Sequence, residues 1–451
     1  MDTPVLDMLY TYARLEGERW HMPGHKGLRP PGGDFLDWAY DVTEIGPMDE
    51  TPNPVQLSER LMAESYGAER TWYSVAGATL PVMAAILAAN PPGSTLWVDR
   101  TCHRSVLGAL TIGGYHVRWL YPAFVRAGIM LPLEEFPEDF QGASGLVLTR
   151  PTYDGLARDN AEVIERAHHQ GLTVIVDEAH GSHWQGRHYP ISALRQGADL
   201  IAHGVHKTEG SLTQTGLLHL QGKRVSPAEV ERWWKILGTS SPSYLLLGAL
   251  DRLQWERRQP EYARRWERLG ERAEELWNTL EQRGHHVLQP WAKRQGLSVD
   301  PARLTLLGPG KMIQERIGSW GEMEKVTPGS GTFFLSPDQD PAALLEALDG
   351  ISFPTAAQEL DRVSFPRLRT AMTVRETWSR KARRLPLEEA RGHVVKEALT
   401  PYPPGIPVAV PGEVLTDEMI AWLQWWSATA TGPIQGLTME EGRQWVWVTE
   451  A

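Results

Sequence analysis

Residues 145–177 read GLVLTRPTYDGLARDNAEVIERAHHQGLTVIVD. An apolar run (145–149) leads into a turn-rich segment, then helical spacing over about 159–170, then a second apolar run, LTVIVD (172–177), that closes on an acid. Short runs rich in branched residues and separated by a helix describe a βαβ unit, with parallel strands and the helix laid across one face. Working outward, the pattern repeats from about residue 54 to 220. Helical spacing at PVQLSERLMAESYGA and at about 79–90 precedes TLWVD (95–99). A helix from His103 separates that run from HVRWL (116–120), and DLIAH (199–203) and TGLLHL (215–220) follow LTVIVD. The sequence therefore predicts an α/β fold with a mostly parallel sheet covered by helices.

At 451 residues the chain exceeds one ordinary core, so a large domain with a smaller partner is expected. The boundaries read as an N-terminal arm over 1–45, a large domain over 46–255, and a linker helix with a small α+β domain over 256–451. Arg- and Glu-dense helical periodicity from about 243 to 283 supplies the linker, and HHVLQP, ARLTLL and GTFFL the small domain. PYPPGIPVAVPGE (401–413) reads as an ordered surface crossing, since proline rings fix φ. Apolar residues at 41% and charged residues at 22% describe a globular protein, and the lack of an eighteen-residue apolar run argues against a membrane span. The N-terminus has amphipathic spacing rather than the pattern of a signal peptide, so a cytoplasmic protein is expected. A single cysteine, Cys102, excludes a disulfide framework or a cysteine-cluster metal site, and no metal is expected. A net charge of -11 argues against nucleic-acid binding and is compatible with a cationic small-molecule ligand.

In open α/β sheets ligands gather outside the carboxyl ends of the strands. Asp177 closes LTVIVD, His203 closes DLIAH, Thr152, Tyr153 and Asp154 follow GLVLT, His103 follows TLWVD, and Lys207 lies four residues past His203. A lysine placed among small and apolar residues is a nucleophile toward aldehydes when its charge is suppressed. Pyridoxal phosphate accounts for the set: its aldehyde needs a lysine, its ring nitrogen a carboxylate, and its phosphate clustered donors. Asp177 suits the carboxylate role. VAGATLP (75–81) suits the phosphate role, with Gly77 permitting a tight turn and Ala78 and Thr79 offering donors at a helix start.

HMPGHKG (21–27), TCHRSV (101–106), PTYDG (151–155), VDEAHGSH (176–183), VHKTEGSLTQTGLLH (205–219) and TSSPSYLLLGALD (239–251) together resemble the motif series of the Orn/Lys/Arg decarboxylase family, and PYPPGIPVAVPGE resembles a motif of that family's C-terminal region. The resemblance implies the pyridoxal-phosphate-dependent, fold type I architecture, a homodimer or higher homo-oligomer, and decarboxylation of arginine, lysine or ornithine to an amine of the polyamine type. It implies that Lys207 bonds to the cofactor aldehyde, that Asp177 pairs with the pyridine nitrogen, that His103 stacks on the ring, that His180 lies beside it, and that His206 is a candidate proton donor. Thr239 and Ser240 are candidates for a neighbouring subunit's phosphate, and only the resemblance moves His21, His25 and Lys26 toward the site. Two hydroxyls usual in the family are absent, at Ala78 and at Gly204, and His203 is the candidate to compensate. Arg150 stands where the family usually has asparagine. Asp154 and Glu322 are candidates for a substrate cation. His103 read alone is a helix-capping histidine. An aminotransferase or lyase, using Arg367 or Arg369 for a substrate carboxylate, and a scaffold that binds cofactor weakly are the alternatives.

Overall fold

The computed structural model describes residues 2–14, 40–42, 52–125, 127–318, 321–350, 353, 360–363, 367–402, 405–429 and 432–450. The HMPGHKG segment, with His21, His25 and Lys26, lies outside the described residues. The chain folds as two compact units, one made of Met1–Ala89, Ile175–His183 and Ser192–Arg265, the other of Asn90–Val174, Trp184–Ile191 and Trp266–Ala451.

In the first unit the strands lie in the order Arg70–Ser74, Gly216–Leu220, Leu200–His203, and the end of Thr173–Asp177. Asp177 pairs with Ala202 in a parallel ladder, whereas Gly216–Leu220 runs antiparallel to both of its neighbours. That antiparallel strand is the departure from the parallel reading of TGLLHL. The Leu200–His203 and Gly216–Leu220 strands are buried at every residue, as a sheet covered on both faces requires. The helix Thr79–Ala89 packs on both, and its near-continuous apolar sequence suits burial all round. The helix Pro54–Tyr66 begins with a capping box between Asn53 and Gln56 and ends at Gly67, whose φ of 73° favours glycine. Asp251 accepts from the amides of Val5 and Leu6 at 3.0 Å and so caps the first turn of Pro4–Ala13.

In the second unit Thr95–Asp99 runs parallel to both His116–Leu120 and Ala143–Thr149. The segments ARLTLL and GTFFL form the antiparallel pair Arg303–Leu307 and Ser330–Phe334, and HHVLQP leads into the helix Leu288–Arg294. A separate antiparallel sheet joins Ala382–Pro386, Arg443–Thr449 and Leu437–Glu440. The 401–413 segment is ordered over its described residues. Buried Arg100 reaches it, donating to the carbonyls of Pro407 (2.6 Å) and Val408 (3.1 Å) and to Glu413 (3.0 Å).

The periodicity over 243–283 is not one helix. It divides into Tyr244–Arg257 and Pro260–Gln282, because Pro260 has no N–H to give the preceding turn and opens a new helix.

Candidate active site

The turn after Asp177 and the segment 203–209 meet in the first unit. Asp177 is buried at its strand end, and Oδ1 accepts from the Ala179 amide at 3.2 Å. The Ala179 carbonyl in turn accepts from the Gly204 amide at 3.2 Å, and the Glu178 amide donates to Ala202 at 2.9 Å. Lys207 sits half-buried in the short 3-10 turn Val205–Lys207, and its Nζ lies 2.9 Å from His180 Nε2. Ser182 Oγ and His183 Nδ1 lie 3.2 and 3.1 Å from Thr208 Oγ1. The structure thus brings the Asp177 turn, His180, Gly204 and Lys207 together.

Gly204 is small for a packing reason. A Cβ there would stand 3.0 Å from the Ala179 carbonyl oxygen, a close approach to backbone, and at ordinary contact, 3.4 Å, from Lys207 Cδ and Cε. The turn at Gly77 is also fixed. Gly77 has φ +61°, its amide donates to Gln214 at 2.6 Å, and its carbonyl accepts from Ser74 Oγ at 2.8 Å. Gly216 must be glycine for that turn to approach, since a Cβ at 216 would meet Gly77 O at 2.5 Å and Ala78 N at 3.0 Å. Thr79 is exposed as the first residue of its helix. His206 borders the turn: a Cβ on Gly77 would lie 3.6 Å from His206 Cε1.

His206 Nδ1 lies 2.7 Å from the Thr215 carbonyl, which only accepts, so Nδ1 carries the proton. Burial pushes the His206 pKa below its usual range; the Thr215 bond opposes this and the Lys207 charge adds to it. A neutral ring whose N–H is committed to a carbonyl is a poor acid. His103 Nδ1 accepts from the Ser105 amide at 3.2 Å as the cap of Arg104–Gly113, the arrangement expected of it read alone. That bond orients the ring and leaves the proton of its neutral form on Nε2.

Two expectations are corrected. His203 is 1% exposed, with Nε2 3.0 Å from Glu178 Oε2 and Nδ1 3.1 Å from His219 Nε2, so both ring nitrogens are used inside the sheet and it cannot replace a missing phosphate contact. Asp154, 2% exposed, is paired with Lys325 at 2.5 Å and accepts from Thr332 Oγ1 at 2.8 Å, which withdraws it as a partner for a substrate cation. Glu322 is exposed, and so are Thr239 and Ser240, which lie in the loop before Tyr244–Arg257. Arg150 is buried, donating to the Ile191 carbonyl at 2.9 Å with its guanidinium over Trp184.

Sequence reasoning missed Glu178, Glu209, His219, Tyr66 and Arg257. Glu209, two residues past Lys207, accepts from Tyr66 at 2.7 Å and also binds Tyr262 and Arg257. Burial opposes its charge, but Arg257 and the hydroxyls of Tyr262, Tyr66 and Ser182 outweigh that and hold its pKa below the usual range. The available signal was position: Glu178 adjoins Asp177, and Glu209 follows Lys207 by two residues.

A family model for the Orn/Lys/Arg decarboxylase major domain matches residues 3–311, and one for the C-terminal domain of that family matches residues 356–448. A Bacillus subtilis (strain 168) protein named arginine decarboxylase is 31% identical over 96% of this chain and 95% of its own length. The uncharacterized protein YaaO of the same organism is 29% identical over 100% of this chain and 99% of its own length. Among solved structures, the Escherichia coli constitutive lysine decarboxylase has the same fold, with a TM-score of 0.84 at 20% identity over 99% of this chain and 82% of that one.

Proposed function

The chain belongs to the Orn/Lys/Arg decarboxylase family, and from that premise we propose that it removes the α-carboxyl group of a basic amino acid, arginine before lysine or ornithine, with pyridoxal phosphate as cofactor. The observation that carries this reading is the apposition of Lys207, His180 and the Asp177 turn. The donor set fits the cofactor: an amine, a buried carboxylate at a strand end, and a glycine turn at a helix start bordered by His206. Arginine is preferred because the Bacillus relative named for it is matched over nearly the whole of both chains.

When bound, the cofactor supplies an aldehyde that condenses with amines and a pyridinium ring that accepts the electron pair left when carbon dioxide departs. Lys207 Nζ would be the covalent anchor, oriented by His180. Asp177 would keep the ring nitrogen protonated, its own carboxylate steadied by the Ala179 amide. The Gly77-Ala78-Thr79 turn would receive the phosphate through backbone N–H groups and the Thr79 hydroxyl, with His206 at its border. The family resemblance assigns the cofactor ring to His103, whose own orientation is set by Ser105. Loss of the Cα–carboxylate bond is balanced by one proton delivered to Cα. With its N–H committed to Thr215, His206 would be a poorer donor of that proton than Lys207 Nζ. A second copy of the chain would face the exposed Thr239 and Ser240, making a homodimer.

The test is the absorbance spectrum of the protein with added pyridoxal phosphate, for wild type and Lys207→Ala, followed by carbon dioxide release from each of the three basic amino acids. A visible band lost in Lys207→Ala, with arginine the best source of carbon dioxide, is the expected result. No band in the wild type, or a keto acid in place of carbon dioxide, would refute the reading.

A further inference from the structure

Beneath the candidate site runs a line of buried polar side chains that the proposed chemistry does not use. Thr71 Oγ1 lies 2.8 Å from His219 Nδ1, His219 Nε2 lies 3.1 Å from His203 Nδ1, and His203 Nε2 lies 3.0 Å from Glu178 Oε2. Every member is 1% exposed or less. Thr71 and His219 are cross-strand partners, so the line passes from Arg70–Ser74 through Gly216–Leu220 and Leu200–His203 to the turn after Asp177. Glu178 is further fixed by Ser192 Oγ at 2.6 Å and the Ala193 amide at 2.8 Å. Because a carboxylate accepts, Nε2 of His203 is the donor. His219 is kept well below its usual pKa by burial, with His203 and Arg257 adding to it, so as a neutral ring it has one N–H to share between His203 and Thr71. The Tyr66 ring covers both imidazoles, at 4.5 Å from His219 and 5.3 Å from His203, and Arg257 lies on its other contacts, 3.6 Å from the Tyr66 centroid.

The neighbouring interior positions Leu217, Leu218, Ile201 and Ala202 are apolar and fully buried. Apolar side chains fill such positions without fixing an angle, whereas hydrogen bonds are directional. Two members of the line neighbour the segments of the two groups proposed to face one ligand: Glu178 follows Asp177, and His203 precedes Gly204, beside the Lys207 stem.

We propose that Thr71, His219, His203 and Glu178 form a buried strut that positions the Asp177 turn against the Lys207 segment. These are positioning residues; none is assigned to substrate or cofactor. The inference rests on the decarboxylase reading for its purpose, but its test does not. In cofactor-free protein, hydrogen exchange at the Gly204 amide reports whether the turn and the segment stay docked, because that amide is bonded to Ala179. Competitive acylation read by mass spectrometry reports the Lys207 amine against exposed Lys223.

His203→Leu is expected to speed exchange at Gly204 by about tenfold and to change the Lys207 to Lys223 labelling ratio by about threefold. His203→Gln, which keeps a donor for Glu178 and an acceptor for His219, is expected to restore both. Wild-type exchange and labelling in His203→Leu would overturn the proposal. Should His203→Leu fail to fold, Thr71→Val keeps the volume and removes only the outermost bond. Its expected effect is an acceleration of about threefold at Gly204, and none would overturn the proposal equally. A wild-type protein that binds no pyridoxal phosphate would sink the decarboxylase reading while leaving these two measurements to stand.

Discussion

Replacing Gly216 by alanine adds one methyl group where the strand Gly216–Leu220 meets the Gly77 turn. The new Cβ would lie 2.5 Å from Gly77 O and 2.6 Å from Gly77 C, against an ordinary contact of 3.4 Å, so backbone must retreat by about 0.9 Å. It cannot do so freely. The Gly77 amide is tied to Gln214 at 2.6 Å and its carbonyl to Ser74 Oγ at 2.8 Å, and both bonds stretch if the turn moves. Overpacking of this kind costs about 1–3 kcal/mol. If most of that falls on the turn, the dissociation constant for pyridoxal phosphate rises by about tenfold to a hundredfold. Fluorescence or absorbance titration of cofactor-free protein measures it directly, and urea unfolding of the same samples measures the stability cost. Gly321→Ala is the control, since a Cβ there meets nothing within 4 Å. If Gly216→Ala binds the cofactor as tightly as the wild type does, with unchanged stability, then close approach of strand and turn is not what shapes the phosphate site.

Gly204→Ser, which adds the hydroxyl usual in the family, is expected to weaken cofactor binding, because its Cβ would press on the Ala179 carbonyl at 3.0 Å; tighter binding in the same titration would contradict the packing argument. Lys325→Ala leaves the Asp154 carboxylate buried without its cation and should cost about 3–5 kcal/mol in urea unfolding, while leaving the preference among basic amino acids unchanged; altered preference in competition assays would return Asp154 to the substrate site. Burial pushes the Asp99 carboxyl up to about 6, against the bonds from Thr101. Its folded pKa lies above the unfolded value, so the folded state holds the proton longer and stability falls as the pH rises from about 4 to about 6. Relative to Asp99→Asn, the wild type should lose up to about 3 kcal/mol across that window, and parallel unfolding curves at pH 4 and pH 6.5 would count against it.

Much of the fold was legible because its signals are local. GLVLT, LTVIVD and DLIAH announce strands by short apolar runs, and the structure has Ala143–Thr149, Thr173–Asp177 and Leu200–His203 there. Strand direction was not legible. TGLLHL looks like its neighbours, yet it pairs antiparallel on both sides, and nothing in a buried apolar run encodes the direction of the strand beside it. The break at Pro260 could have been read from that residue alone, but strong Arg and Glu periodicity on both sides masked it.

At the candidate site, the sequence by itself supplied the residues proposed for the chemistry. They are an acid at the end of LTVIVD and an amine at 207, four residues past the strand that ends at His203. Only the tertiary structure decided which titratable groups remain available. His203 and His206 are three residues apart and chemically identical, but one is 1% exposed between Glu178 and His219 while the other is half-buried at the Gly77 turn. Asp154 and Asp177 each follow or close a strand, but Lys325, 171 residues away, takes up the first. The physical reason is that a polar group's availability depends on burial and on the partners that fill its hydrogen-bonding capacity, and those partners arrive from distant parts of the chain.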